Sequence, residues 1–128
     1  PVMGHIGFTP QFYKKFKVQG MSKKNALKLS EQAIKNQEAG VFSLVLECVN
    51  ELTAKKITKK LKIPTIGIGA SVHCDGQILV TDDMLGLSGF YPKFVKKFAN
   101  LNNIIELGIE KYKKAVINKD FPNKKNAF

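Results

Sequence analysis

Glu47 is a carboxylate set into the end of an apolar run, Ser-Leu-Val-Leu-Glu-Cys-Val at 43–49. Withdrawing even a neutral polar group from water without a partner costs about 2–7 kcal/mol, so a carboxylate here is paired, protonated or functional. Its place at the C-terminal end of the run favours function, because in α/β barrels and open α/β sheets that end faces the active site. A structural ion pair is the competing explanation. In the functional case the chemistry is general-base removal of a proton from carbon beside a carbonyl. His5, in Pro-Val-Met-Gly-His-Ile-Gly at 1–7, could orient or polarise a substrate oxygen, and is equally compatible with a hydrogen-bonded core histidine. The turn Gly67-Ile68-Gly69-Ala70-Ser71 could hold a phosphate on its amides, or its small residues could simply permit close packing. His73, Cys74 and Asp75 are metal-ligand types whose spacing matches no zinc pattern, so a shaped loop is the better reading. Asp82-Asp83 could bind magnesium, although a helix N-cap followed by a first-turn carboxylate explains the pair without a metal.

These groups need elements to position them. The apolar run at 43–49 reads as a strand buried on both faces, as a parallel sheet covered by helices requires. Residues 1–7 read as a strand running into a loop. Thr9-Pro10 then starts a turn or a short helix, and 12–20 is irregular, with aromatics between lysines and a break at Gly20. Ser22 is a good N-cap for a helix over 23–39, with Ala26, Leu29, Ala33 and Ile34 on one stripe and Gly40 past its end. A second helix covers 51–61, turning Ala54, Ile57 and Leu61 inward. Strands follow at 65–69 and 77–81, separated by a loop over 70–76. After a loop over 82–89, the pattern predicts a helix over 91–99 with Phe94, Val95 and Phe98 inside. It predicts another over 102–117, with Ile105, Ile109, Tyr112 and Val116 on one face. Strands alternating with helices over short connections mean βα units and a parallel sheet. Four units are visible, half of a (β/α)8 barrel, with an open four-stranded sheet as the structural alternative.

A chain of 128 residues makes one modest domain. It is short for a (β/α)8 barrel of about 250 residues, and it starts at Pro1 with strand-like sequence, which suggests a piece of something longer. The net charge of +11 invites a nucleic-acid partner. Composition argues against one: all 21 basic residues are Lys, and Arg, which supplies bidentate base contacts, is absent. Pairs such as Lys23-Lys24, Lys55-Lys56 and Lys96-Lys97 are dispersed, as solvated helix faces would be. Two cysteines, Cys48 and Cys74, build neither a disulfide framework nor a zinc site. Without a signal peptide or an apolar run of transmembrane length, a reducing cytoplasm is the expected compartment.

Several stretches together resemble one family. Pro-Val-Met-Gly-His-Ile-Gly-Phe-Thr-Pro-Gln at 1–11, Phe-Lys-Val-Gln-Gly at 16–20, Leu-Val-Leu-Glu-Cys-Val at 44–49 and Ile-Pro-Thr-Ile-Gly-Ile-Gly-Ala at 63–70 are similar to ketopantoate hydroxymethyltransferase. His-Cys-Asp-Gly-Gln-Ile-Leu-Val at 73–80, Asp-Met-Leu-Gly-Leu at 83–87 and Phe-Val-Lys-Lys-Phe-Ala-Asn-Leu at 94–101 continue the match in order. The resemblance covers the C-terminal half of that family's length. It implies the last four βα units and C-terminal helices of a single TIM barrel, from a magnesium-dependent homo-oligomer of pantothenate biosynthesis. The implied reaction carries a hydroxymethyl group from methylenetetrahydrofolate to α-ketoisovalerate, giving ketopantoate. By similarity Glu47 is the general base, acting on a substrate whose enolate magnesium stabilises, and His5 is the substrate-side histidine.

The resemblance also implies what lies elsewhere. The family's carboxylates around magnesium, and its lysine and serine that hold the keto acid, belong to the first half, so no metal ligand is expected in this chain. The missing N-terminal half is thus an expected partner, and the chain alone is expected to be inactive. Ala70-Ser71-Val72 stands where the family commonly has Ala-Gly-Pro, and Asn126 where a His is usual. Competing readings are a different barrel enzyme binding a phosphorylated substrate at Gly67 to Ser71, a lysine-rich RNA-binding module, and a non-catalytic half-barrel remnant.

Overall fold

The structure, a computed structural model, describes residues 1–10 and 17–128, so the aromatics Phe12, Tyr13 and Phe16 of the irregular stretch lie outside the described residues. The chain divides into two units, Pro1–Leu79 and Val80–Phe128. The first is α/β, with the order β1 (Met3–Gly7), α1 (Lys23–Glu38), β2 (Ser43–Glu47), α2 (Glu51–Lys60), β3 (Thr65–Ile68) and β4 (Gly76–Gln77). Its strands form one sheet in the order β1-β2-β3-β4, each neighbouring pair parallel, as in part of a (β/α)8 barrel.

The cap expected at Ser22 forms, and a second one stands at Asn50. Ser22 caps α1, its hydroxyl accepting from the Asn25 amide, and Asn50 caps α2 by accepting from the Thr53 amide. Each satisfies one of the amides that a helix start leaves unpaired. Both helices lay an apolar stripe on one face of the sheet, where Ile6, Leu44, Leu46 and Val49 meet Leu29, Ala33, Ala54, Ile57 and Cys74. Leu44, Leu46 and Ile57 are almost wholly buried, each stabilising the fold by about 1.5–3 kcal/mol. Val45 and Ser43, on the opposite face of β2, are buried too, so the apolar run is covered on both sides as expected.

The last strand is shorter than the sequence pattern suggests. The strand expected over 77–81 is only Gly76–Gln77, with the Ile78 amide still bonded to the Gly67 carbonyl at 3.0 Å. Val80 and Thr81 instead begin the second unit's short helix α3 (Thr81–Leu85), where a loop was expected, and Gly86 ends it in the left-handed region at φ 76°. No helix forms over 91–99. Its Phe98 and Ala99 amides donate to the Met84 carbonyl, one of the groups that the end of α3 leaves unpaired. Phe98 is exposed rather than inside. The long helix α4 (Leu101–Ile117) forms as expected, but its apolar face, including Ile105, Ile109, Tyr112 and Val116, is exposed.

Candidate active site at the strand ends

Parallel strands carry registered residues on a common face. The register pairs His5 with Val45 and Gly7 with Glu47, so His5 and Glu47 point to the same side of the sheet two residues apart along the strands. That side is opposite the one lined by Leu44 and Leu46, which α1 and α2 cover. The imidazole reaches forward to the carboxylate, with Nε2 3.0 Å from Oε2. The distance is that of an ordinary N–H···O hydrogen bond, with the imidazole Nε2 as donor. The Glu47 side chain is 17% exposed and that of His5 38%, so the pair is sheltered yet open to a small molecule. The carboxylate therefore has the ion-pair partner that one reading required, and it has it at the strand end that the other reading required.

Backbone devices at the same level hold the two strands. Gly7 has φ 101°, and a Cβ there would stand 2.1 Å from the Glu47 carbonyl oxygen, so only glycine allows this approach. The Phe8 amide donates to that oxygen at 2.8 Å. Cys48, directly after the carboxylate, adopts φ 51°, a conformation that costs an ordinary residue about 1–2 kcal/mol. It is held there by its amide, which donates to the Ile68 carbonyl at 2.9 Å, and by its carbonyl, which accepts from Gln19 at 2.8 Å. Asn50 donates back to the Gln19 carbonyl, and Gln19 and Val49 form an isolated parallel bridge. Burial first, and the neighbouring Glu47 charge second, push the Cys48 thiol up to about 11. This thiol is neutral and no nucleophile at ordinary pH.

The remaining candidates separate. In the loop over 70–76, Asp75 Oδ2 accepts from the amide of Thr65 at 2.8 Å and from its hydroxyl at 3.0 Å. These bonds hold the Asp75 carboxyl below the usual carboxylate range. Asp75 is thus a latch on the start of β3. Ser71 is buried, its hydroxyl accepting from the His73 amide and its carbonyl from Gln77 Nε2. A Cβ on Gly67 would lie 2.9 Å from Gln77 Oε1 and 3.1 Å from Cys74 Sγ, so close packing accounts for that glycine. Asp82 and Asp83 both lie in the first turn of α3, which Val80 rather than an aspartate caps, and Ser88 donates to Asp83 Oδ1. Among the described residues no three His, Cys, Asp or Glu side chains converge as a metal site. Among the described residues no helix is long and apolar enough to cross a membrane.

The left-handed turn at Cys48, the Gln19 bridge and the Asp75 latch were not anticipated from the sequence. Gly7 at a strand end was the one visible signal. The family profile for ketopantoate hydroxymethyltransferase matches residues 1–124. A 3-methyl-2-oxobutanoate hydroxymethyltransferase of Clostridium botulinum is 53% identical over all of this chain and 48% of its own length. Proteins of the same name from Thermosipho africanus, 53% identical, and Pelagibacter ubique, 48% identical, are each covered over 50% of their length and match the whole chain. The chain spans about half the length of these curated relatives. A profile running over residues 1–124, and relatives about half identical over the whole chain, establish that the chain belongs to the ketopantoate hydroxymethyltransferase family.

Proposed function

We propose that this chain supplies the general base of hydroxymethyl transfer to 3-methyl-2-oxobutanoate (α-ketoisovalerate), giving ketopantoate for pantothenate biosynthesis. The observation that carries the reading is the contact of Glu47 Oε2 with His5 Nε2 at 3.0 Å, on one face of a parallel sheet at its C-terminal ends. Glu47 takes the single hydrogen on C3 of the keto acid, beside the carbonyl, and the electron pair of that C–H bond passes toward the carbonyl oxygen. His5 orients the carboxylate and offers a proton donor beside the substrate's oxygens. Water releases formaldehyde from methylenetetrahydrofolate, breaking both C–N bonds of its methylene and leaving tetrahydrofolate. The enolate pair then forms the new bond from C3 to the formaldehyde carbon, and the C=O pair moves to its oxygen, which takes a proton to become the hydroxymethyl group.

The rest of the site comes from outside this chain. Magnesium prefers several oxygen ligands in near-octahedral array, and the described residues do not build such a set. Its ligands belong to an N-terminal half that completes the barrel, of which residues 1–128 are the C-terminal half. The chain alone is then inactive, and the complete enzyme is a cytoplasmic homo-oligomer. Gln77 and Cys74 pack where a Cβ on Gly67 would stand, so that glycine is explained without a phosphate.

The test is exchange of the C3 hydrogen of 3-methyl-2-oxobutanoate with deuterated water, followed by proton NMR. The chain is mixed with the complementary N-terminal half of a relative, with and without magnesium. Magnesium-dependent exchange that Glu47→Gln abolishes supports the reading. No exchange from a folded, assembled mixture overturns it and leaves a non-catalytic remnant.

A further inference from the structure

We propose that Cys48 is a positioning residue for Glu47, acting through its backbone conformation rather than through its thiol. This rests on Glu47 being the base. Cys48 is non-glycine, 99% buried by its 1% exposure, and left-handed at φ 51°. Such a conformation persists where the surroundings over-determine it, and functional sites are where it concentrates. Here the determinants come from both sides. Ile68 of β3 accepts from the Cys48 amide, Phe8 donates to the Glu47 carbonyl, and Gln19 both donates to Cys48 and accepts from Asn50.

The turn has a direct consequence for the carboxylate. An extended residue at 48 would carry β2 onward, and Glu47 would be one more pleat in the middle of a strand. The left-handed residue ends the pairing with β3 at this level and sends the chain across to Gln19, where Val49 makes its bridge. Glu47 becomes the last residue of the strand, at the rim beside His5. The thiol has no such part. It is buried, and its raised proton affinity keeps it uncharged beside the carboxylate.

Substitutions at 48 separate the two roles because they order oppositely. Glycine adopts the left-handed region freely, alanine less readily, and β-branched valine least. For a thiol that merely fills the core, valine is the best replacement and glycine the worst. The readout is the 15N shift of the His5 imidazole at fixed pH in the full 128-residue chain, with Glu47→Gln marking the shift when the carboxylate is gone. Cys48→Gly and Cys48→Ala are expected to keep the wild-type shift, and Cys48→Val to move to the Glu47→Gln value. In the complemented enzyme, Cys48→Gly should retain at least ten times the kcat of Cys48→Val, with KM within about threefold.

Valine keeping the wild-type shift while glycine loses it overturns the proposal, as does an unchanged shift in all three. Should Cys48→Val not fold, Cys48→Gly decides alone: loss of the wild-type shift in a folded sample overturns the proposal, and its retention supports it. Failure of deuterium exchange in the wild-type mixture would instead remove Glu47 as the base, leaving the imidazole shifts to report on the contact separately.

Discussion

Asp75→Ala should destabilise the first unit by about 2 kcal/mol at pH 7. Asp75 Oδ2 accepts two hydrogen bonds, from the Thr65 amide at 2.8 Å and the Thr65 hydroxyl at 3.0 Å. Bonds to a charged group contribute about 1.5–3 kcal/mol each when sheltered. Asp75 itself is exposed, so water competes and screens, and about 1 kcal/mol for the pair is the appropriate share. Alanine also strands the Thr65 amide in a residue with no exposure, and an unsatisfied buried donor adds about 1 kcal/mol or more. The same bonds lower the Asp75 carboxyl from its usual value of 3.8. A carboxyl lowered by folding contributes stability that is present above its unfolded value and is lost as pH falls through the folded one. The difference between wild type and variant should therefore be full above about pH 4 and shrink in stronger acid. Urea unfolding followed by far-UV circular dichroism at pH 7 and pH 3 measures both. A gap below about 0.5 kcal/mol at pH 7, or one that widens in acid, refutes the latch.

Gly7→Ala should cost about 3 kcal/mol and uncouple His5 from Glu47, because the added Cβ meets the Glu47 carbonyl oxygen at 2.1 Å and Val49 Cγ2 at 2.8 Å. Gly40→Ala, also left-handed at φ 87° but with nothing within 4 Å, should cost only about 1 kcal/mol; thermal melts of the two variants check the contrast. The Cys48 thiol, at about 11 and buried, should resist a thiol reagent at pH 8 in the folded chain and react promptly in denaturant. Labelling followed by peptide mass spectrometry identifies the site, and rapid modification of folded Cys48 would contradict its burial.

The sheet was legible because its determinants are local and repeated. The run at 43–49 is too apolar for anything but a core element, Ser22 announces a helix start, and the strands recur between helical stripes. Local pattern failed where the backbone had a better partner at a distance. Residues 91–99 carry apolar residues at helical spacing, yet their Phe98 and Ala99 amides go to Met84. Val80 and Thr81 continue a β-branched run, but the chain leaves the sheet and Thr81 starts α3.

The candidate site divides the same way. Glu47 and His5 could be read because an ionisable group at the end of an apolar strand is costly wherever it is not used or paired. Their separation could not, since it depends on a register that puts Gly7 opposite Glu47 and lets His5 reach forward to it. Cys48 is the sharper case. In the sequence it is an ordinary core cysteine, and no neighbour along the chain prescribes a left-handed backbone for it. The prescription comes from Gln19 and Ile68, 29 and 20 residues away by subtraction of their numbers, whose amide and carbonyl respectively find their partners in Cys48 where β2 ends. The loop after β1 and the end of β3 thereby decide where the strand stops, and where it stops decides which side chain stands at the rim. The residue proposed as the base is thus marked by its own type, whereas its aim is written in segments remote from it.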